Sequence, residues 1–389
     1  MIVVVGCLVI LLLVFIVEAE QHQERLDLIP LRILVNGTRG KSSVVRLIAA
    51  GLNAGGISAV AKTTGSATRL ILPDGTEETL ARNGPVNIIE QVGVVRRAEK
   101  LRPRALVVEC MSLRPELQRT EAARLIQPHI TVITNVGPDH HDVMGADLAA
   151  VAKALSGTIP RQGQLFTAEQ DFFAVLEKEA IARDTAAHFI DAAEQDFSSL
   201  KLGYIEHPEN LALALAVCQQ VGVDREAALS GFQRARPDPG VLRMITGERN
   251  GIAVSFVNAF AANDPVSIAK IWRLLRLDQP DPGRRVVAIL NLRRDRPHRN
   301  AQLLAMLGCD ICADEICLIG DSPAGIRARL LQDRALKART ADYSDASWEA
   351  LMRHLTSRMS EPVLFIGLGN MAGWGARIVE YFGALDSAC

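Results

Sequence analysis

A chain of 389 residues, 49% hydrophobic and 22% charged, has room for two globular domains of ordinary size with substantial cores. Its net charge of −1 provides no overall field for nucleic acid or an anionic surface, so an acidic substrate must be met by a local basic cluster. Seven scattered cysteines do not form a disulfide framework, and the single C-x-x-C, Cys309 with Cys312, lacks the second pair or close histidine that a structural zinc site needs.

The first 17 residues, MIVVVGCLVILLLVFIV, carry no charge and are apolar all round. That is the lower end of the roughly 17–25 residues that cross a bilayer. Arg25 and Arg32 follow the segment, so the positive-inside rule places the rest of the chain in the cytoplasm. A cleaved signal peptide is the rival reading, but no basic n-region precedes the apolar run. The expectation is a retained single-pass anchor in the cell membrane with cytoplasmic catalytic domains. Residues 18–30 read as a polar linker.

LRILVN, Leu31 to Asn36, is a continuous apolar run of the kind buried in a parallel sheet. A Gly-rich turn follows it, then a helix from about Ser42 to Asn53. RALVVE and ITVITNV are further strand-length runs separated by helix-like stretches, which predicts an α/β domain with a parallel sheet. RPDPG, Arg236 to Gly240, is a strong break. Beyond it RRVVAILNL, EICLIG and PVLFIGLG resume the pattern in a second, smaller α/β domain of Rossmann-like type. The expected organisation is an N-terminal transmembrane helix over 1–20, a P-loop domain over 21–236 and a Rossmann-like domain over 237–389.

Gly37-Thr38-Arg39-Gly40-Lys41-Ser42-Ser43 follows a strand and opens a helix, the context a phosphate-binding loop requires. Its glycines let backbone N–H groups approach phosphate oxygens, and the helix N-terminus adds attraction for an anion. Lys41 would reach the β- and γ-phosphates and Ser42 would coordinate Mg²⁺. The longer G-x-x-x-x-G-K-[ST] spacing is absent, because position 35 is Val. Thr63 and Thr64 offer hydroxyls as further metal ligands or are simple turn residues. Arg293, Arg294 and Arg296, beside His298 and Arg299, follow a strand and suit substrate carboxylates; a solvated basic loop is the competing reading. Gly367-Leu368-Gly369-Asn370 lies too near the C-terminus to open a dinucleotide-binding unit.

The short loop G-T-x-G-K-[ST] resembles that of the Mur ligase superfamily, and other segments are similar to it in turn. Glu109, ending RALVVE, stands where that family has a Mg²⁺-binding glutamate. Asn135 to Asp142, NVGPDHHD, resembles its N-x-x-x-D-H-x-D segment, with His140 at the second metal. Asn210, in HPENLALALAV, matches an asparagine that contacts adenine. Arg243 and FVNAFAANDP, Phe256 to Pro265, are similar to the start of the ligase C-terminal domain, where an arginine and an aspartate hold the nucleotide. The aspartate position is Asn258 here, a departure that removes a charge. Many members carry a carbamylated lysine near the position of Lys153, which is slightly out of register and reads equally as a surface lysine.

KTTGSATR, GPVNIIEQ, VECMS, DHHDVMG, PDPG-x-x-RM, FVNAFAAND and IGLGN, in this order, resemble the ligase subunits of capsule-type poly-γ-glutamate synthases over nearly the whole chain. The resemblance implies an ATP-dependent ligase using Mg²⁺ or Mn²⁺. It would join glutamate to a growing poly-γ-glutamate chain through its γ-carboxylate, by way of an acyl phosphate, beside other membrane subunits. Lys41, Glu109 and His140 would be catalytic; Ser42, Thr64, Glu109 and His140 would hold metal. Residues 37–43, Asn210, Arg243 and Asn258 would hold the nucleotide. The alternatives are a folylpolyglutamate-synthase-like ligase and a membrane-tethered ATPase subunit that energises polymer export without forming bonds. A P-loop GTPase lacks its N-K-x-D element here.

Overall fold

A computed structural model describes residues 2–64, 68–80, 87–138, 141–237, 241–262, 264–279, 281, 283–294, 297–307, 311–321 and 334–386. Helix α1, Ile2–Asp27, runs through the apolar segment without a break. The expected linker over 18–27 is therefore helix. Glu, Ala, Gln, Leu and Arg fill that stretch, and no Gly or Pro interrupts it before Pro30. Val3 to Val17 are exposed, and α1 is long and apolar enough to cross a membrane, with a mean hydropathy of 2.7 in its apolar window.

The end of α1 is fastened to the body that follows. Leu26 and Ile29 are buried in a hydrophobic cluster, and His22 Nε2 lies 2.9 Å from the carbonyl of Leu125. Arg32 is buried; its Nη1 donates to the carbonyls of Leu26 (2.7 Å) and Ile29 (2.9 Å). Its Nε donates to those of Ile126 (3.0 Å) and Gln127 (2.9 Å). Arg32 thus closes carbonyls left open at helix ends. It is a buried cap, so of the two arginines that follow the apolar segment only Arg25 is a flanking charge outside the core.

The chain forms two compact units, residues 1–202 with 206–239 and residues 203–205 with 240–389. Among the described residues the first carries an eight-stranded sheet: β1 Leu31–Asn36, β2 Ala59–Thr63, β3 Arg69–Ile71, β4 Glu77–Thr79, β5 Ala105–Glu109, β6 Ile130–Ile133, β7 Gln164–Thr167 and β8 Ala186–Phe189. The order is β4-β3-β2-β5-β1-β6-β7-β8, parallel except for the antiparallel edge made by β3 and β4. Its helices are α2 Lys41–Ala54, α3 Glu90–Leu101, α4 Pro115–Thr120, α5 His141–Met144, α6 Leu148–Leu155, α7 Phe173–Ile181, α8 Pro208–Gln220 and α9 Arg225–Arg234.

Successive strand residues point to opposite faces. Ile33, Val35, Ala61 and Val107 pack under α2, α8 and α9 with Leu47, Leu215 and Phe232. Leu34, Val60, Leu106 and Val108 pack on the other face with Val94 and Val95 of α3 and with Ile126 of a π-helical turn, Glu121–Ile126. Both faces being covered, the strands must be apolar throughout, as the sequence shows. Because β1 lies between β5 and β6, the loop leaving its C-terminal end emerges where the strand order reverses. That is where open α/β sheets bind ligands.

The second unit carries β9 Arg243–Arg249, β10 Ile252–Ala259, β11 Arg285–Leu292, β12 Glu315–Gly320, β13 Thr340–Asp342 and β14 Val363–Leu368. Among the described residues these form one sheet, β13-β12-β11-β14-β10-β9, in which β9 alone is antiparallel. Helices α10 Pro265–Leu274, α11 Pro297–Met306, α12 Arg334–Arg339, α13 Trp348–Ser357 and α14 Trp374–Asp386 accompany it. One face packs against α10 and α11, the other against α13 and α14.

Candidate active site

The loop after β1 is shaped by two glycines and clamped from β6. Gly37 has φ 133° and Gly40 φ 80°, values that favour glycine. A Cβ on Gly37 would come within 2.0 Å of Thr134 Oγ1, and one on Gly40 within 2.6 Å of Asn210 Oδ1. Thr134 Oγ1 donates to the carbonyl of Arg39 (2.6 Å). Asn135 Oδ1 accepts from Thr38 Oγ1 (2.6 Å) and from the Arg39 amide (3.0 Å), and its Nδ2 donates to the Arg39 carbonyl (3.1 Å). No side chain caps the start of α2, so its first amides stay available to an anion. Lys41 Nζ folds back to donate to the Gly37 carbonyl (2.7 Å), over the same loop.

Glu109, 3% exposed at the end of β5, meets this loop. Its Oε2 accepts from Ser42 Oγ (2.9 Å) and from the Thr64 backbone amide (2.6 Å). Thr63, buried at the end of β2, has a hydroxyl with no hydrogen-bond partner and alternates to the same sheet face as Glu109. A carboxylate, a serine hydroxyl and an orphaned threonine hydroxyl are the hard oxygen donors that suit Mg²⁺ or Mn²⁺, so these residues fit such an ion. His140, the expected ligand of a second ion, lies outside the described residues.

Sequence reasoning missed what holds Glu109 in place. Glu121, fully buried in the π-helical turn, accepts from Gln91 Nε2 (2.6 Å), the Met111 amide (3.1 Å), the Ser112 amide (3.2 Å) and Ser112 Oγ (2.5 Å). Gln91 Nε2 also donates to the Glu109 carbonyl (3.3 Å). The segment immediately after Glu109 is thus anchored on one buried carboxylate. Burial, and then that carboxylate, push the Cys110 thiol well above its ordinary pKa, so it stays protonated.

Asn210, 5% exposed in the first turn of α8, lies against Gly40 and donates from Nδ2 to Glu206 Oε1 (2.7 Å). Ser43 is beside the same carboxyl. Lys153 is not brought to this group: its ammonium is exposed on α6 and paired with Glu179, which fits the surface-lysine reading better than that of a carbamylated ligand.

In the second unit, Arg243 and Asn258 stand directly opposite each other in the β9–β10 ladder. Asn258 is buried with an unpartnered Oδ1, while Arg243 is exposed. The amide keeps a donor and an acceptor there but no countercharge for the guanidinium. Arg293 and Arg294 follow β11 as expected, half-buried and exposed; the Arg293 carbonyl accepts from Asn300 Nδ2 (2.7 Å). Arg296 lies outside the described residues. A cluster that the sequence did not suggest joins Glu315, Cys317 and His354 within 4.8 Å. Arg358 Nε (2.6 Å) and Arg285 Nη2 (3.1 Å) also reach the Glu315 carboxylate, so it is an ion-pair network in which two guanidiniums compete with any cation.

Residues 245–385 match the poly-gamma-glutamate synthase CapB C-terminal domain, and residues 35–200 the Mur ligase middle domain. The PGA synthase CapB of Bacillus subtilis is 35% identical over 383 residues, covering 97% of this chain and 96% of the relative. The chain belongs to the poly-γ-glutamate synthase CapB family. The capsule biosynthesis protein CapB of Bacillus anthracis is 34% identical over 98% of this chain and 82% of its own length. In fold, the chain is similar to a bifunctional folylpolyglutamate synthase/dihydrofolate synthase from Yersinia pestis solved with AMPPNP and Mn ion. The TM-score is 0.69 at 19% identity, over 94% of this chain and 93% of that one.

Proposed function

We propose that this chain is the ATP-dependent amide ligase of poly-γ-glutamate synthesis and that the phosphate loop of its first unit is where ATP is activated. The observation that carries the assignment to residues is the contact of the loop serine, Ser42, with the β5 carboxylate, Glu109, at 2.9 Å. Kinship to the family alone does not say which residues act.

Residues 37–43 would hold the triphosphate through backbone amides and the α2 N-terminus, with Lys41 swinging from Gly37 onto the β- and γ-phosphates. Ser42 and Glu109, with Thr63 or Thr64, would hold a divalent cation, Mg²⁺ or Mn²⁺, which when bound neutralises charge on the transferring phosphoryl group. The γ-carboxylate of glutamate attacks the γ-phosphorus; the bond from that phosphorus to the β-phosphate oxygen breaks, giving an acyl phosphate and ADP. The amino group of the next glutamate attacks the acyl carbon, loses a proton and expels phosphate as the amide forms. The protein contributes position and charge neutralisation, not a nucleophile of its own.

Helix α1 would tether the enzyme to the cell membrane with both units in the cytoplasm, where ATP is available, next to other membrane subunits that take up the polymer. Supporting this side is the loop itself, which follows the end of α1 by way of the single strand β1. The test is polymer formation by membranes carrying the chain and its partner subunits, given ATP and either glutamate enantiomer. Glutamate-dependent phosphate release with γ-linked product is expected from wild type and not from Lys41→Ala. ATP hydrolysis with no amide product under any glutamate supply would favour the export ATPase.

A further inference from the structure

Glu206 is a buried acid beside the phosphate loop that the reaction above does not use. It precedes α8 and is 8% exposed. Its Oε1 accepts from the His207 backbone amide (3.0 Å) and from Asn210 Nδ2 (2.7 Å). Its Oε2 is buried with no hydrogen-bond partner. Asn210 in turn lies against Gly40, its Oδ1 only 2.6 Å from where a Cβ on that glycine would be.

These contacts determine which way the Asn210 amide points. A backbone N–H can only donate, so Oε1 of Glu206 is an acceptor in either protonation state. Asn210 must then offer its NH₂ to Oε1, and its carbonyl oxygen is turned away from Glu206, toward the loop. The site therefore presents acceptors: Asn210 Oδ1, and the open Oε2 of Glu206 when ionised. Burial pushes the Glu206 carboxyl above its ordinary value, and the hydrogen bonds from Asn210 and the His207 amide offset part of that push. Among nucleoside triphosphates, a pair of acceptors matches the 6-amino group of adenine and repels the 6-oxo group of guanine.

We propose that Glu206 sets the base selectivity of the nucleotide site, as the positioning residue that locks the Asn210 amide and as a second acceptor for the adenine amino group. This rests on residues 37–43 holding the nucleotide. The orphaned, buried Oε2 is what a purely structural helix-start acid would not leave unpaired.

Binding of ATP, GTP and purine riboside triphosphate, which lacks the 6-amino group, is measured by calorimetry on the full-length protein in detergent. Wild type should bind ATP at least tenfold more tightly than either analogue, because a site built to accept a hydrogen bond penalises its loss. Glu206→Gln, which keeps an acceptor toward His207 and Asn210 but puts an NH₂ in place of the open Oε2, should reduce the ATP-to-GTP preference by about tenfold while retaining triphosphate binding. Equal wild-type affinity for ATP and the deaminated analogue overturns the proposal, whether or not any variant folds. So does an unchanged preference in Glu206→Gln, or an effect confined to the KM for glutamate, which would make the acid a substrate-amine contact. If Lys41→Ala and Asn210→Ala both bind ATP as wild type does, the loop assignment itself has failed, a result separable from the others.

Discussion

Replacing Glu121 by Gln tests whether the candidate metal carboxylate is held by the buried cradle behind it. Glu121 is fully buried, and its two oxygens accept from Gln91, Met111 and Ser112. In the variant one oxygen becomes an NH₂. If that group replaces Oε1, Gln91 can rotate to present its own Oε1, which has no partner, but the Met111 amide cannot. A stranded buried amide costs about 1–3 kcal/mol, and the surviving bonds lose their charge assistance. Relief from burying a carboxylate offsets part of this, leaving about 2 kcal/mol. For a unit of this size that is about 4–8 °C in melting temperature.

Tryptophan fluorescence would miss the change, because Trp272, Trp348 and Trp374 all belong to the second unit. Calorimetry of the full chain and amide hydrogen exchange over 110–112 report it directly. The same variant should raise the Mg²⁺ or Mn²⁺ concentration needed for half-maximal phosphate release, since Met111 and Ser112 immediately follow Glu109. A first-unit melting temperature within 1 °C of wild type, together with unchanged exchange over 110–112 and unchanged metal dependence, would refute the reasoning.

Gly40→Ala should abolish ATP binding while the second unit stays folded, because φ 80° is strained for alanine and its Cβ would displace Asn210; calorimetric titration with ATP checks this. Acid should weaken the second unit in a way that depends on Glu315. Burial alone would raise its carboxyl, but Arg358 and His354 outweigh burial and hold it below the ordinary 4.5. The stability it contributes is thus present above the unfolded-state value and is lost as pH falls through the lower folded one. Urea midpoints followed by tryptophan fluorescence between pH 3 and 7 should therefore fall less steeply with acid in Glu315→Gln, and parallel slopes would reject the network. Deleting residues 2–17 should release the protein from membranes with ATP affinity unchanged within about threefold, since the docked end of α1, with His22 and Leu26, and Ile29 beyond it are retained. Loss of ATP binding in this soluble chain, measured by the same titration, would contradict a separable anchor.

What the sequence alone disclosed of the fold depends on how local each signal is. β1 and its loop were legible because an apolar run, two glycines and Lys41-Ser42 are consecutive. The β9–β10 hairpin turns at Asn250-Gly251, at φ 54° and 78°, a strong two-residue turn signal. Its flanking strand RMITGER is an exposed edge and lacks the apolar run used to find the others. The helical continuation of α1 through Asp27 resembles a linker in polarity alone, while its residues are strong helix formers.

The site divides along the same line, and the parallel register explains where. Val35 pairs with Glu109 on one side of β1 and with Val132 on the other, and Asn36 pairs with Ile133. Chains leaving β5 and β6 must then pass on either side of Gly37 and Thr38. This puts Glu109 within reach of Ser42, and Thr134 and Asn135 against Arg39. Nothing in a linear reading orders those strands, so Asn135 was visible only as one letter of a motif, and Glu121 only as another charge on a polar helix. Asn258 is the instructive opposite: its place opposite Arg243 follows from a hairpin the sequence encodes locally, and its chemistry departs from the pattern it resembles. The buried amide there has an Oδ1 without a partner, an acceptor that a carboxylate would have supplied as a charge. An asparagine at this position thus leaves Arg243 opposite an amide in place of a carboxylate.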